Sequence, residues 1–238
     1  MAYQAVFQRY ELKYILSCEQ RQHIERAMTD HMVPDKYGRT TICNLYFDTD
    51  NFRLIRHSIE KPPFKEKLRL RSYGRATADS SVFVELKRKY DRVVYKRRVS
   101  LTESQAMDWL LGGSAPQDSQ ICREIGYFMD YYQTLKPRVF LSYERQAWYG
   151  KDDPAFRVTF DENVLCRRED LSLQSEAYGT PLLPEGMALM EIKCVGGIPL
   201  WLTEILSEEK LYKTSFSKYG TVYQQVIYPS LKEMAKHA

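Results

Sequence analysis

Hydrophobic and polar residues alternate with a period of two over much of the chain, which predicts a protein built mainly of half-buried strands. Alternation, or enrichment in β-branched and aromatic residues, covers residues 4–15, 40–47, 65–74, 81–89, 92–100, 137–149, 155–163 and 187–195. Helical spacing falls between these stretches. Ser17 with Gln20 forms a capping box for a helix over about 18–31. Residues 50–59 predict a short helix after Asp48-Thr49-Asp50, and Thr102 caps another that runs to about Leu111. Residues 119–134 carry Ile121, Ile125, Phe128 and Tyr132 near helical spacing. Pro199 opens a fifth helix at the favoured first-turn position, and residues 215–227 form the last. The stretches Ala76 to Ser81, Gly112 to Ser119 and Leu173 to Gly186 read as connections too short to be domain linkers. About eight strands with peripheral helices predict an α+β fold around a closed antiparallel β-barrel.

The same period sorts the charges onto one face. Arg9, Glu11 and Lys13 share a face against Tyr10, Leu12 and Tyr14. Lys67, Arg69 and Arg71 alternate with leucines; Glu85 and Lys87 alternate with Val82, Val84 and Leu86; Lys96 and Arg98 oppose Tyr95 and Val99. Arg157 and Asp161 oppose Val158 and Phe160, and Glu191 and Lys193 alternate with Met190 and Ile192. An antiparallel sheet with one wet face carries Lys and Arg there without any ligand. Two features point further. The pattern recurs in six strands, and cations outnumber carboxylates on these faces although the chain as a whole has a net charge of only +4. Like charges facing each other across strands repel, and an anion relieves that repulsion. If the sheet closes, this face lines a tunnel suited to a narrow, strongly anionic ligand such as a triphosphate or polyphosphate, and not to duplex nucleic acid. Glu11, Glu85, Asp161 and Glu191 are the carboxylates on the face, and such oxygen ligands suit Mg²⁺ or Mn²⁺.

Composition narrows the setting. With 44% hydrophobic and 28% charged residues, the 238-residue chain reads as an ordinary globular protein. Its five cysteines, Cys18, Cys43, Cys122, Cys166 and Cys194, are odd in number and contain no CxxC pair, which argues against a disulfide framework or zinc site and for a reducing cytoplasm. No stretch approaches the roughly 18 apolar residues of a membrane span, and the first residues lack a signal-type apolar run. Nucleotide-binding glycine loops and the Gly-x-Ser-x-Gly elbow are missing from the sequence, and His23, His31, His57 and His237 show no ligand spacing.

An ordered set of motifs carries a resemblance. It begins with Arg9-Tyr10-Glu11-Leu12-Lys13-Tyr14 and continues through Tyr46-Phe47-Asp48-Thr49, Leu68-Arg69-Leu70-Arg71-Ser72-Tyr73-Gly74, Val82–Lys87 and Lys96-Arg97-Arg98. Pro137-Arg138-Val139, Tyr143–Ala147, Arg157–Asp161, Glu191-Ile192-Lys193 and Ser215–Gly220 follow. Together they resemble the VTC (polyphosphate polymerase) domain of the CYTH-like triphosphate tunnel metalloenzyme superfamily, with Arg9 standing where other branches often carry a first Glu. The resemblance implies one such domain over residues 1–228, a C-terminal tail over 229–238, and a stand-alone bacterial enzyme in the cytoplasm. It implies that Lys13, Arg69, Arg71, Lys87, Lys96, Arg138 and Lys218 bind phosphates and take part in catalysis. Arg9, Arg98, Arg145, Arg157 and Lys193 then support the substrate. Parity leaves open which of Arg138 and Arg145 faces inward, since a bulge between them would change the count. Glu191 would hold the metal, with Glu85, Glu11 and Asp161 as further candidates.

The implied reaction is metal-dependent transfer of the γ-phosphoryl group of a nucleoside triphosphate, ATP first among them, to phosphate or a growing polyphosphate chain. Pyrophosphate and polyphosphate are the other expected ligands. A triphosphatase, with water as acceptor, would use the same cations. A non-catalytic polyphosphate or inositol-phosphate binding module would keep them but tolerate loss of the metal carboxylates.

Overall fold

The computed structural model describes residues 9–91 and 93–236. The strands are β1 (Arg9–Leu16), β2 (Met32–Pro34), β3 (Thr40–Asp48), β4 (Phe64–Tyr73), β5 (Ser81–Tyr90), β6 (Val93–Thr102), β7 (Lys136–Gly150), β8 (Arg157–Arg167), β9 (Thr180–Pro181) and β10 (Ala188–Val195). The helices are α1 (Cys18–His31), α2 (Arg53–Ile59), α3 (Glu103–Leu110), α4 (Gln120–Tyr132), α5 (Leu200–Glu208), α6 (Lys218–Val222) and α7 (Tyr228–Met234). A π-helical turn, Tyr223–Ile227, joins the last two. The α+β class and the large antiparallel sheet are therefore present, and each predicted strand corresponds to an observed one. Residues 4–8 of the predicted first strand, residue 92 and His237 lie outside the described residues.

The chain forms two compact units. One comprises the stretch ending at Thr40, with Tyr143–Val164 and Leu183–Phe216; the other comprises Thr41–Ser142, Leu165–Leu182 and the stretch from Ser217. The strand order is β1-β10-β8-β7 in the first and β7-β3-β4-β5-β6 in the second, with β7 and β8 contributing residues to both. Each unit has its own core on the apolar side of its strands. In the first, Tyr14 and Leu16, Val158 and Phe160, and Met190 and Ile192 pack with Ile24 and Met28 of α1 and Leu202 and Leu206 of α5. In the second, Leu68 and Leu70, Val82, Val84 and Leu86 pack with Trp109 of α3 and Ile125 and Phe128 of α4. Burying these large side chains is the main stabilising term, at about 1.5–3 kcal/mol each.

Local chemistry sets the helix starts. The predicted capping box of α1 is formed, with Ser17 Oγ accepting from Gln20 N at 3.2 Å and Gln20 Oε1 accepting from Ser17 N at 3.0 Å. Thr102 and Gln105 do the same for α3. Pro199 caps α5 from one position outside the helix instead of opening it. The helix expected from residue 50 begins at Arg53. Its start is displaced because buried Asp48 reaches forward to accept from Leu54 N at 2.9 Å and Ile55 N at 3.0 Å, while Phe52 adopts a left-handed conformation (φ 58°). The last helix outruns the predicted 215–227, ending at Met234. Pro229 explains the π-helical turn before α7: its ring has no N–H to donate and crowds the carbonyl four residues back.

Two polar networks were not apparent from periodicity. On the leucine side of β4, buried Glu66 accepts from Arg88 Nε at 2.7 Å and from the Tyr132 hydroxyl at 3.2 Å, and Glu124 of α4 accepts from Arg97 Nε at 2.9 Å. This clamps α4 onto β4–β6. Burial, together with Glu66, pushes the Tyr132 phenol up to about 12. At the end of β8, Arg167 is only 6% exposed. Its guanidinium lies 3.6 Å from the Phe140 ring centroid and donates to the carbonyls of Asp170, Ser172, Glu176 and Tyr178. A lysine has neither the planar fork nor enough donors for four carbonyls. Arg167→Lys is therefore expected to destabilise the protein by about 2–3 kcal/mol in a denaturant titration; a loss below about 0.5 kcal/mol would show that the loop orders without it.

Candidate functional site

In the second unit the strand register converts the alternating cations into opposed rows. Lys65 faces Lys89. Lys67 faces Lys87, which faces Lys96. Tyr46 faces Arg69, which faces Glu85, which faces Arg98. Asn44 faces Arg71, which faces Phe83. Eight cations share these rows with one carboxylate, Glu85. Direct opposition of like charges is unfavourable in an isolated sheet. The strain registers at Lys65, whose pKa is lowered by burial and by the neighbouring Lys89, Lys61 and Lys87.

Glu85 is the hub. Its side chain is 1% exposed and lies 2.6 Å from Arg69 Nη2, 2.7 Å from Lys96 Nζ, 3.0 Å from Arg98 Nε and 3.9 Å from Arg71 Nε. The Arg98 contact is close but lacks hydrogen-bond alignment. Burial alone would raise the Glu85 pKa; Arg69, Arg71 and Lys96 outweigh it and hold the carboxyl at about 2. Tyr46 accepts from Arg69 Nη1 at 3.1 Å and stacks on Tyr219, with ring centroids 4.7 Å apart. Burial pushes its phenol up, but Arg69, Lys67 and Arg71 bring it down to about 8. Tyr219 in turn donates to Asp48 at 2.9 Å, and Ser217, the cap of α6, accepts from Lys67 Nζ at 3.2 Å. These contacts fix the start of α6, and with it half-buried Lys218, against the base of the basic rows.

The first unit carries a separate chain of alternating charges. Lys13 faces Glu191 across β1 and β10, and Glu11 faces Lys193. Lys193 faces Arg157 across β10 and β8. Lys13 Nζ lies 3.1 Å from Glu11 and 3.3 Å from Glu191, and donates to Phe216 O at 3.1 Å. Arg145 grips Asp161 with two bonds of 2.6 and 2.7 Å and reaches Glu191 at 3.6 Å. Burial disfavours the Arg145 charge, but Tyr143 and Asp161 more than compensate, and its pKa rises. Arg157 lies over the Tyr149 ring at 4.4 Å.

The predicted residues thus fall into two groups. Arg69, Arg71, Lys87, Lys96, Arg98 and Glu85 converge in the second unit; Lys13, Glu11, Glu191, Arg145 and Asp161 converge in the first, with Lys193 and Arg157 beside them in register. Arg138 belongs to the second unit, where it pairs with Asp50 and lies 5.7 Å from the Phe52 ring centroid. Arg9 opens β1 opposite Val195, and its side chain lies outside the described residues. The sequence reading gave no site role to Lys65, Lys89, Tyr46, Asn44 and Ser217, although Tyr46 and Ser217 lie within its motifs. The two lysines continue the period of two and could have been found by extending it; the neutral residues carry no charge to mark them.

Among the described residues, no group of three or more His, Cys, Asp or Glu side chains converges as a ready-made metal site. Glu11 and Glu191 nonetheless bracket one cation, the Lys13 ammonium. A divalent ion that keeps water and phosphate ligands needs only one or two carboxylates, so this pair fits Mg²⁺ or Mn²⁺. No described helix is long and apolar enough to cross a membrane.

Comparison with known proteins agrees with this geometry at the level of fold. A candidate adenylate cyclase from Bacillus halodurans superposes with a TM-score of 0.55 at 14% identity, covering 89% of this chain and 94% of its own. A candidate adenylyl cyclase from Hippeastrum with a dominant triphosphatase activity gives 0.53 at 15% identity, covering 90% and 95%. No curated protein sequence matches the chain. The family model of the VTC domain matches residues 8–227. Strand motifs, the large antiparallel sheet and this match agree: the chain belongs to the VTC domain family.

Proposed function

We propose that the protein is a metal-dependent polyphosphate polymerase that uses a nucleoside triphosphate, ATP foremost, as donor. The observation that carries this reading is the set of opposed cation rows on β4, β5 and β6, with one carboxylate among eight cations. Such a field is relieved by a chain of phosphates and by few other ligands. An oxygen of phosphate, or of the growing chain's end, attacks the γ-phosphorus; the bond to the β,γ-bridging oxygen breaks, and the nucleoside diphosphate leaves with that electron pair. Lys67, Lys87 and Lys96 neutralise phosphate oxygens as point charges, while Arg69 and Arg71 offer planar forks. Glu85 and Asp161 act as counter-charges that orient arginines, which leaves Glu191, with Glu11, to hold Mn²⁺ or Mg²⁺. A bound metal would supply further neutralisation of phosphate oxygens.

The triphosphatase activity of the Hippeastrum protein favours water as the second reading for the acceptor. Incubation with ATP and Mn²⁺, following polymer on a gel and free phosphate in parallel, separates the two. Polymer is expected, falling about 100-fold or more in Arg69→Ala. Free phosphate without polymer would favour the triphosphatase. Neither product, with tripolyphosphate binding intact, would overturn the enzyme and leave a binding module.

A further inference from the structure

We propose that Tyr73, Phe83 and Arg98 form a platform on which the nucleobase of the donor stacks, so that the second unit reads the base as well as the phosphates. The inference rests on the proposed function for its triphosphate and concerns a part of the same face that phosphate binding leaves unused. Phe83 shares a strand face with Glu85 and Lys87, and Tyr73 shares one with Lys67, Arg69 and Arg71. Aromatic rings therefore end the basic ladder on two neighbouring strands. The Arg98 guanidinium carbon lies over Phe83, 3.6 Å from the ring centroid, and Arg98 donates to the Tyr73 hydroxyl at 3.2 Å. The Tyr73 and Phe83 rings meet edge to face, 5.9 Å apart at 82°. Tyr73 is 54% exposed despite this fixed orientation.

A guanidinium stacked on an aromatic ring presents its second face to a planar ligand, and bases stack on both Arg planes and aromatic side chains. A phosphate chain has no planar group that could use such a surface. Position agrees with chemistry. Phe83 is four residues from Lys87 on one strand, roughly 13 Å at the rise of an extended chain. An extended nucleoside triphosphate can cover that span, with its base at Phe83, its inner phosphates at Arg71 and Arg69 and its terminal phosphate at the lysine row.

The test compares two ligands by calorimetry in EDTA, where turnover is suppressed: ATP, and inorganic tripolyphosphate, which lacks the base. Tyr73→Leu and Phe83→Leu remove the rings and keep apolar bulk. Tyr73 is the safer variant for folding because it is exposed. Each is expected to weaken ATP about tenfold, within the range of base–aromatic stacking, while tripolyphosphate stays within about twofold. Equal weakening of both ligands, or no change in either, would overturn the platform while leaving the phosphate site in place. Failure of the unaltered protein to bind either ligand would instead overturn the phosphate site, and the platform with it.

Discussion

Glu85→Gln is expected to destabilise the protein by about 3 kcal/mol at pH 7. The carboxyl is held at about 2 in the folded state against an ordinary 4.5, and one pKa step corresponds to about 1.4 kcal/mol. Because the folded value is depressed, the contribution is complete above about pH 4.5 and is lost as pH falls toward about 2. The gap between unaltered protein and variant should therefore be full at pH 7 and close across that acid window; urea titrations at pH 7 and pH 3 measure it. A gap that does not change with pH would place the loss in side-chain geometry and not in charge. Glutamine also leaves Arg69, Arg71, Lys96 and Arg98 facing one another without their common counter-ion. Tripolyphosphate should then raise the Tm of the variant more than that of the unaltered protein, because it supplies the missing negative charge.

The charged face was legible because the period of two is a property of a single strand: Lys67, Arg69 and Arg71 declare themselves with no knowledge of what lies opposite. The hub was not legible, because register is a relation between strands. Glu85 is a candidate metal ligand by residue type, and its opposition to Arg69 and Arg98 shows which cations it pairs with. Tyr46 stands in the sequence only as part of a motif, and its tie to the cations emerges once Arg69 is placed across from it. Arg138 and Arg145 lie an odd number of positions apart, so strict alternation sets them on opposite faces but leaves open which one faces inward. The carboxylates instead distinguish them, Asp50 for the first and Asp161 with Glu191 for the second. Helix starts were legible when the capping partner lay three residues ahead, as at Ser17 and Thr102. They were misread at residue 50, where the acceptor is a buried aspartate that also anchors Tyr219, 171 positions away.

Arg145→Ala is expected to cost about 3–5 kcal/mol, a loss comparable with that at Glu85 and of a different origin. Asp161 is 0% exposed, and its two oxygens are taken by the Arg145 fork at 2.6 and 2.7 Å. Removing the guanidinium leaves a buried carboxylate without its main counter-charge, and breaking such a pair from one side is costly. Removing both charges is not: an apolar pair of similar volume is often neutral or stabilising. Arg145→Met combined with Asp161→Leu should therefore return to within about 1 kcal/mol of the unaltered protein, as a double-mutant cycle in denaturant would measure. The same cycle separates support of the fold from support of the substrate. Arg145 also reaches Glu191 at 3.6 Å, the carboxylate proposed to hold the metal together with Glu11. If that contact positions Glu191, the double variant regains stability while its metal-dependent turnover stays about tenfold or more below normal, within the usual cost of losing a group that orients a metal ligand. Recovery of both would confine Arg145 to neutralising Asp161.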